Sequence, residues 1–320
     1  MQLTNVQKQH FIEYGFVQIS GVVPRVMVDA AVRAINHSVG EGIDPAQLTK
    51  FRSQSYCPEV SGTPAITGLL NDTPLFSMCE SLIGEGTLKR AGGGQIALRF
   101  PGLQDPPRPP GGHLDGMYSP HNGVKEGTIG NFTALVGVLL SDLPEENAAN
   151  FTVWPGTHRL FEKYFQQHGP ESLLNGMPKV EMPEPRQITG RAGDAVICHY
   201  QLAHGIAPNV SPHVRYATFF RLKHRDHDTH PMEVMTDIWK DWAGLREAVG
   251  RTQEADGSRQ KAASAQRKAA KPPRKKSPFV LPTASCRLPP FFLCLASPPS
   301  PTRRARLFCG RAIWAKKTAS

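Results

Sequence analysis

The sequence predicts a mainly β protein, a sandwich or barrel flanked by helices, followed by a tail outside the fold. Three observations carry this. Short runs rich in Val, Ile, Phe and Thr recur after Gly94 between Gly, Pro, Asn and Asp clusters. Helical periodicity is confined to stretches on either side of these runs and one between them. Composition changes abruptly after Gly250.

Thr4 can cap a helix reaching Tyr14, with Val6, His10, Phe11 and Tyr14 on one stripe, and Gly15 stops it. Phe16 to Ser20 alternates as a short strand. Pro24 sits at the first turn of a second helix reaching Val39, and Thr73-Pro74 repeats that start for a third ending near Gly84. Strands follow at Gln95 to Phe100, Phe132 to Leu140, Asn150 to Trp154, Ala195 to Tyr200 and Val214 to Leu222. Pro155 to His158 turns into a helix ending at His168. Pro231 to Val249 reads as one more helix, with Met235, Ile238, Trp239, Trp242 and Leu245 on one face.

The 320 residues carry a net charge of +10, which raises nucleic acid or a membrane surface as partners until the charge is located. Of 37 Lys+Arg and 27 Asp+Glu, 16 and 2 lie after Gly250, so the first 250 residues stand at −4 and the tail at +14. The tail, residues 251–320, is read as disordered. Its P-P-R-K-K-S-P is similar to a nuclear-import patch, but it lacks the interleaved aromatics of a nucleic-acid stacking platform. The six cysteines share no C-x-x-C spacing, so neither a zinc site nor a disulfide framework is indicated. No basic leader followed by an apolar run, no membrane-spanning run and no peroxisomal ending is visible, and a cytoplasmic protein is expected.

The stretch G-G-H-L-D-G-M-Y-S-P-H, Gly111 to His121, taken alone is a polar turn, since Asp and Gly are ordinary turn residues. If extended, it sends His113 and Asp115 to one side. Iron(II) that must also bind oxygen wants two neutral imidazoles and one carboxylate on a single octahedral face. The candidate third ligand is His204, in H-Y-Q-L-A-H-G-I-A-P-N. Arg215, eleven positions later on what would be the adjacent antiparallel strand, could hold a distal carboxylate bidentately.

His-x-Asp, then His after 89 positions and Arg after 11, resembles the pattern of iron(II)/2-oxoglutarate-dependent oxygenases. Over roughly Leu3 to Leu222 the sequence resembles the phytanoyl-CoA dioxygenase family in particular. The similarity is carried by H-F-I-E-Y-G-F-V-Q-I-S-G-V-V-P, H-L-D, L-L-S-D-L-P-E-E-N followed by V-W-P-G-T-H-R, and A-G-D-A-V-I-C-H-Y-Q-L-A-H-G-I-A-P-N, in family order. The resemblance implies a double-stranded β-helix, or jelly roll, over residues 1–250, with iron held by His113, Asp115 and His204. It implies that Arg215 holds the C5 carboxylate of 2-oxoglutarate. The activity implied is hydroxylation of a small-molecule or lipid-like substrate with O2, releasing succinate and CO2. Retention of Asp115 favours hydroxylation over halogenation, in which a small residue makes room for chloride.

Several positions depart from the family. Gln95 is kept near the co-substrate, but Arg99 stands where an Asn is common. Ile206 replaces a Ser or Thr that supports the co-substrate carboxylate, leaving Thr133 to compensate, and Ala148 to Asn150 replaces an N-G turn. Met117, Tyr118 and Trp154 divide between substrate contact and core packing. His121, His158, His199 and His213 read as structural or exposed, and K-H-R-D-H-D-T-H, Lys223 to His230, as a solvated loop rather than a second metal site. Two readings of other classes stay open: a catalytically silent β-helix module docking through its tail, and a cupin-type isomerase or zinc hydrolase that would not use Arg215 for 2-oxoglutarate.

Overall fold

The computed structural model describes residues 1–102 and 107–250, and the tail from Arg251 lies outside the described residues. Helix α1 (Asn5–Tyr14) is closed at its start by a capping box, in which Thr4 accepts from the Gln7 N–H and the Gln7 side chain accepts from the Thr4 N–H. Gly15, at φ 80°, ends it and turns the chain into β1 (Phe16–Ile19). Pro24 then precedes α2 (Arg25–Gly40). Two helices are additions to the reading from sequence, α3 (Leu48–Ser53) and α4 (Pro64–Asn71). Thr63-Pro64 opens α4 with the same signal by which Thr73-Pro74 opens α5 (Pro74–Ile83).

The remaining strands are β2 (Gln95–Arg99), β3 (Ala134–Leu139), β4 (Phe151–Val153), β5 (Arg186–Gln187), β6 (Ala195–His199), β7 (His204–Ile206) and β8 (Arg215–Leu222), with α6 (Thr157–His168) between β4 and β5. They form a five-stranded sheet, β1-β6-β3-β8-β2, and a three-stranded sheet, β5-β4-β7, with every pairing antiparallel.

Side-chain alternation turns the large sheet into the middle of three layers. Ile96, Leu98, Val136, Val138, Ile197 and Phe220 point to the helical face, against Val28, Ile35, Leu69 and Leu82. Their strand neighbours Ala97, Leu135, Val196, Cys198, Ala217 and Phe219 point to the small sheet, against Phe151 and Val153, with the Phe151 and Phe219 rings 5.1 Å apart. Each such buried side chain contributes about 1.5–3 kcal/mol. This is the jelly roll with flanking helices. The same alternation puts Gln95, Arg99, Arg215 and Arg221 on the inter-sheet face, because each is an even number of residues from Ala97 or Phe219.

The segment 231–249 is a correction. It is a short helix, α7 (Glu233–Thr236), then a 3-10 turn (Ala243–Leu245) that runs into helical residues 246–250, not one helix. Met235, Ile238, Trp242 and Leu245 are nevertheless buried, and Trp242 stacks on His199 at 5.2 Å. The backbone leaves the helical region at Asp237 and again at Trp242, and Gly244 lets the following turn pack against the Ser81 carbonyl oxygen, where a Cβ would fall. Among the described residues no helix is long and apolar enough to cross a membrane.

Candidate metal centre

Residues 113–115 alternate as in an extended chain: Leu114 is 1% exposed in the core, while His113 and Asp115 face the opposite side. A two-bond backbone bridge pins this loop to β7, from the His113 N–H to the His204 carbonyl at 2.9 Å and from the His204 N–H to the His113 carbonyl at 3.0 Å. The bridge is centred on the two histidines themselves, so their rings lie 4.6 Å apart. Two glycines make the approach possible. A Cβ at Gly205 would fall on the Gly111 carbonyl oxygen, and Gly116, at φ 94°, turns the chain away just after Asp115.

One ligand atom each from His113, Asp115 and His204 lies within 4.8 Å of the others. Asp115 Oδ1 stands 3.5 Å from His113 Nε2 and 3.7 Å from His204 Nε2. His204 Nδ1 donates to the Leu202 carbonyl at 3.0 Å, which fixes the ring with Nε2 turned toward the carboxylate. Burial pushes the Asp115 carboxyl up. Hydrogen bonds from His113 and His204 and the charge of Arg221 outweigh it and hold the group well below the usual carboxylate range.

Arg221 was absent from the residues read from the sequence. Its Nε and Nη2 both reach Asp115 Oδ2 at 2.9 Å, and its Nη1 donates to Gln95 Oε1 at 2.8 Å. The signal was present: Arg221 follows Arg215 by six positions, an even number that shares a strand face.

The triad opens on a cavity of about 640 Å³, which Gln95, Arg99, Met117 and Tyr118 also line. Arg215 lies beside the wall made by Ala97 and Phe219, 2% exposed. Its Nε donates to the Ala149 carbonyl and its Nη1 to the Ala97 carbonyl, both at 3.0 Å, while Nη2 has no partner. Burial, with the nearby charge of Arg99 in second place, lowers its pKa to about 9. Ala149 presents its carbonyl from a left-handed backbone, φ 60°, where the family's common glycine would sit without strain.

Two expected contacts are corrections. The Thr133 hydroxyl donates to Asp241 Oδ2 at 2.8 Å and accepts from the His224 N–H at 2.9 Å, so it does not line the cavity. Trp154 packs its ring beneath Gly112 and is likewise absent from the lining. The loop 223–230 is only partly solvated: His227 is fully buried, with Nδ1 on Asp241 Oδ2 at 2.6 Å and Nε2 on Asn131 Oδ1 at 3.1 Å. His158 and His199 are buried in the core and His121 does not line the cavity. Asp194 forms a turn at the entry to β6, accepting from the Gly21 and Arg191 N–H groups.

Residues 109–217 match the family model described as phytanoyl-CoA dioxygenase (PhyH). Among solved structures, HygX from Streptomyces hygroscopicus with nickel and 2-oxoglutarate bound is 18% identical, over 69% of this chain and 87% of that one, with a TM-score of 0.46. EctD from S. alaskensis in its apoform is 17% identical, over 69% and 77%, with a TM-score of 0.45. The non-heme alpha ketoglutarate dependent carbocyclase SnoK from nogalamycin biosynthesis is 18% identical, over 69% and 83%, with a TM-score of 0.43. No curated protein matches the sequence. The matched residues run from the loop before His113 to just past Arg215, and so take in all three members of the His113, Asp115 and His204 cluster.

Proposed function

We propose that the protein is an iron(II)- and 2-oxoglutarate-dependent dioxygenase that hydroxylates a small-molecule or lipid-like substrate, its catalytic domain spanning residues 1–250. The observation that carries this is the unpartnered Nη2 of buried Arg215 beside a cavity that holds the His113, Asp115 and His204 donor set. A buried guanidinium without a counter-ion costs several kcal/mol, and a carboxylate in the cavity would repay it. A silent scaffold has no need of that cation, and a hydrolytic zinc centre has none for a carboxylate-binding arm.

The donor set fits iron(II): two imidazole nitrogens and one carboxylate oxygen converge from one side, leaving the cavity side open. Iron(II) with 2-oxoglutarate supplies oxygen activation, with release of succinate and CO2. His113 and His204 are neutral nitrogen donors, and Arg221 holds Asp115 so that Oδ1 alone turns to the histidines. Arg215 receives the C5 carboxylate of the co-substrate. Gln95 acts through Arg221, and Arg99 adds positive charge beside the same carboxylate. Met117 and Tyr118 lie on the substrate side, where Phe151, Phe219 and Leu135 give the cavity a dry wall.

Anaerobic titration of iron(II) and 2-oxoglutarate into the protein tests the reading. The chelate is expected to give a weak visible charge-transfer band, absent in His113→Ala. No band in the wild-type protein would overturn the assignment.

A further inference from the structure

A second cavity, about 520 Å³, adjoins the metal cavity and shares Arg52, Arg99 and Ile206 with it. Arg108 lines it as well, so three guanidinium groups reach it from three parts of the chain: the end of α3, the end of β2 and the loop before Gly111. Among the described residues its lining contains no carboxylate, and the one described carboxylate lining the metal cavity, Asp115, is already paired with Arg221. Arg52 and Arg108 are exposed and form no ion pair with any described residue, and Arg99 spends one nitrogen on the Leu98 carbonyl at 2.8 Å.

This is a concentration of positive charge on a body whose first 250 residues sum to −4. Unpaired like charges side by side are unfavourable, and burial first, with the charge of Arg52 adding to it, lowers the Arg99 pKa. A cleft of one sign focuses potential and draws a ligand of the other. The rim supplies the remaining chemistry: Phe100 beside the second cavity and Tyr118 beside the first are 45% and 43% exposed, offering apolar surface between the arginines and the metal loop.

Resting on the oxygenase reading, we infer that the substrate is an anion. Its phosphate or carboxylate group docks between Arg52, Arg99 and Arg108, while its apolar part runs past Phe100 and Tyr118 toward the triad. The 2-oxoglutarate carboxylate is a second charge, held at buried Arg215, and Arg99, which lines both cavities and acts on Arg215, serves both anions.

The test uses the full chain loaded with zinc(II) and saturating 2-oxoglutarate, so that the co-substrate position is filled. Phenyl phosphate, benzoate and neutral benzyl alcohol are then titrated by calorimetry. At least one of the two anions is expected to bind, more weakly as salt is raised, and the tighter of the two identifies the group recognised. The double variant Arg52→Gln, Arg108→Gln is expected to lose about tenfold or more in that affinity. Arg246→Gln, an exposed arginine elsewhere, is expected to lose none. The inference is overturned if neither anion binds, if benzyl alcohol binds as well as the anions, or if the double variant keeps wild-type affinity. It is equally overturned if Arg246→Gln weakens binding as much. The iron(II)–2-oxoglutarate band, recorded on the same variants, reports separately on the oxygenase reading: its absence in the wild-type protein sinks that reading, and its persistence in a double variant that no longer binds the anion isolates the substrate effect.

Discussion

Arg221 and Asp115 divide the work of one carboxylate. Two guanidinium nitrogens hold Oδ2 at 2.9 Å, and Oδ1 is left facing His113 and His204. Without this brace the carboxylate could rotate about its terminal torsion or present both oxygens. Arg221→Gln is therefore expected to weaken metal binding about 10- to 100-fold with the fold intact, the range typical of lost outer-shell partners. Gln95→Ala, which removes only the support of Nη1, is expected to act in the same direction and less. Competition against a chromophoric chelator measures both, and wild-type affinity in Arg221→Gln would show that Asp115 is held by the histidines and its burial alone.

Arg215 is a buried cation without a counter-ion, an arrangement that lowers stability. Replacing a buried unpaired charge with an apolar side chain of similar length is neutral or stabilising. Arg215→Met is thus expected to have a metal-free Tm at or above that of the wild type, despite losing the hydrogen bonds to Ala97 and Ala149. Zinc(II) should still bind the variant. The further rise in Tm that 2-oxoglutarate gives the metal-loaded wild type, by mass action on the folded state, should vanish. A wild-type thermal shift with 2-oxoglutarate in Arg215→Met would remove Arg215 from the co-substrate site.

The convergence of His113, Asp115 and His204 was legible in the sequence because they lie in short motifs whose order and spacing carry information. The strands were legible because their faces alternate between two cores. Thr133 was misplaced because its partner, Asp241, is 108 positions away and no local pattern reports it. Residues 231–249 show the same limit in another form: the apolar spacing identified what is buried, while the breaks at Asp237 and Trp242 leave no mark in that spacing. Arg221 was missed for a different reason. Its periodicity with Arg215 was available, but a charged residue near a strand end is also an ordinary solvent-facing one.

The backbone bridge between His113 and His204 depends on Gly205. In Gly205→Ala the new Cβ, fixed in direction by its own backbone, meets a backbone carbonyl, so neither can swing aside and β7 must retreat from the metal loop. The expected cost is about 1–3 kcal/mol in denaturant unfolding, as for other overpacked sites. Metal affinity is expected to fall more steeply, since the displacement separates the two histidines directly. Ala203→Gly, two positions earlier but with its own N–H bonded to Thr157 Oγ1, serves as the control and should leave metal binding unchanged. Equal metal binding in the two variants would show that the bridge does not set the ligand spacing.

Asp241 ties the segment after β8 to the rest of the fold. It is 2% exposed, and its two oxygens meet Thr133 Oγ1, His227 Nδ1 and His230 Nε2 at 2.8, 2.6 and 2.7 Å. Burial pushes its carboxyl up, but hydrogen bonds from His227, His230 and Thr133 prevail and hold it well below the ordinary value. A carboxyl depressed in the folded state contributes stability in full above its unfolded pKa, about 3.9, and loses that contribution as pH falls toward the folded value. Asp241→Asn is accordingly expected to cost about 3 kcal/mol at pH 7, as for breaking a buried charged pair. The gap between the two proteins should close as pH falls below about 4, because the wild type then loses what the variant already lacks. Urea midpoints measured from pH 7 to pH 3 check this, and a gap that stays constant through the acid range would show that Asp241 acts through packing and not through its charge.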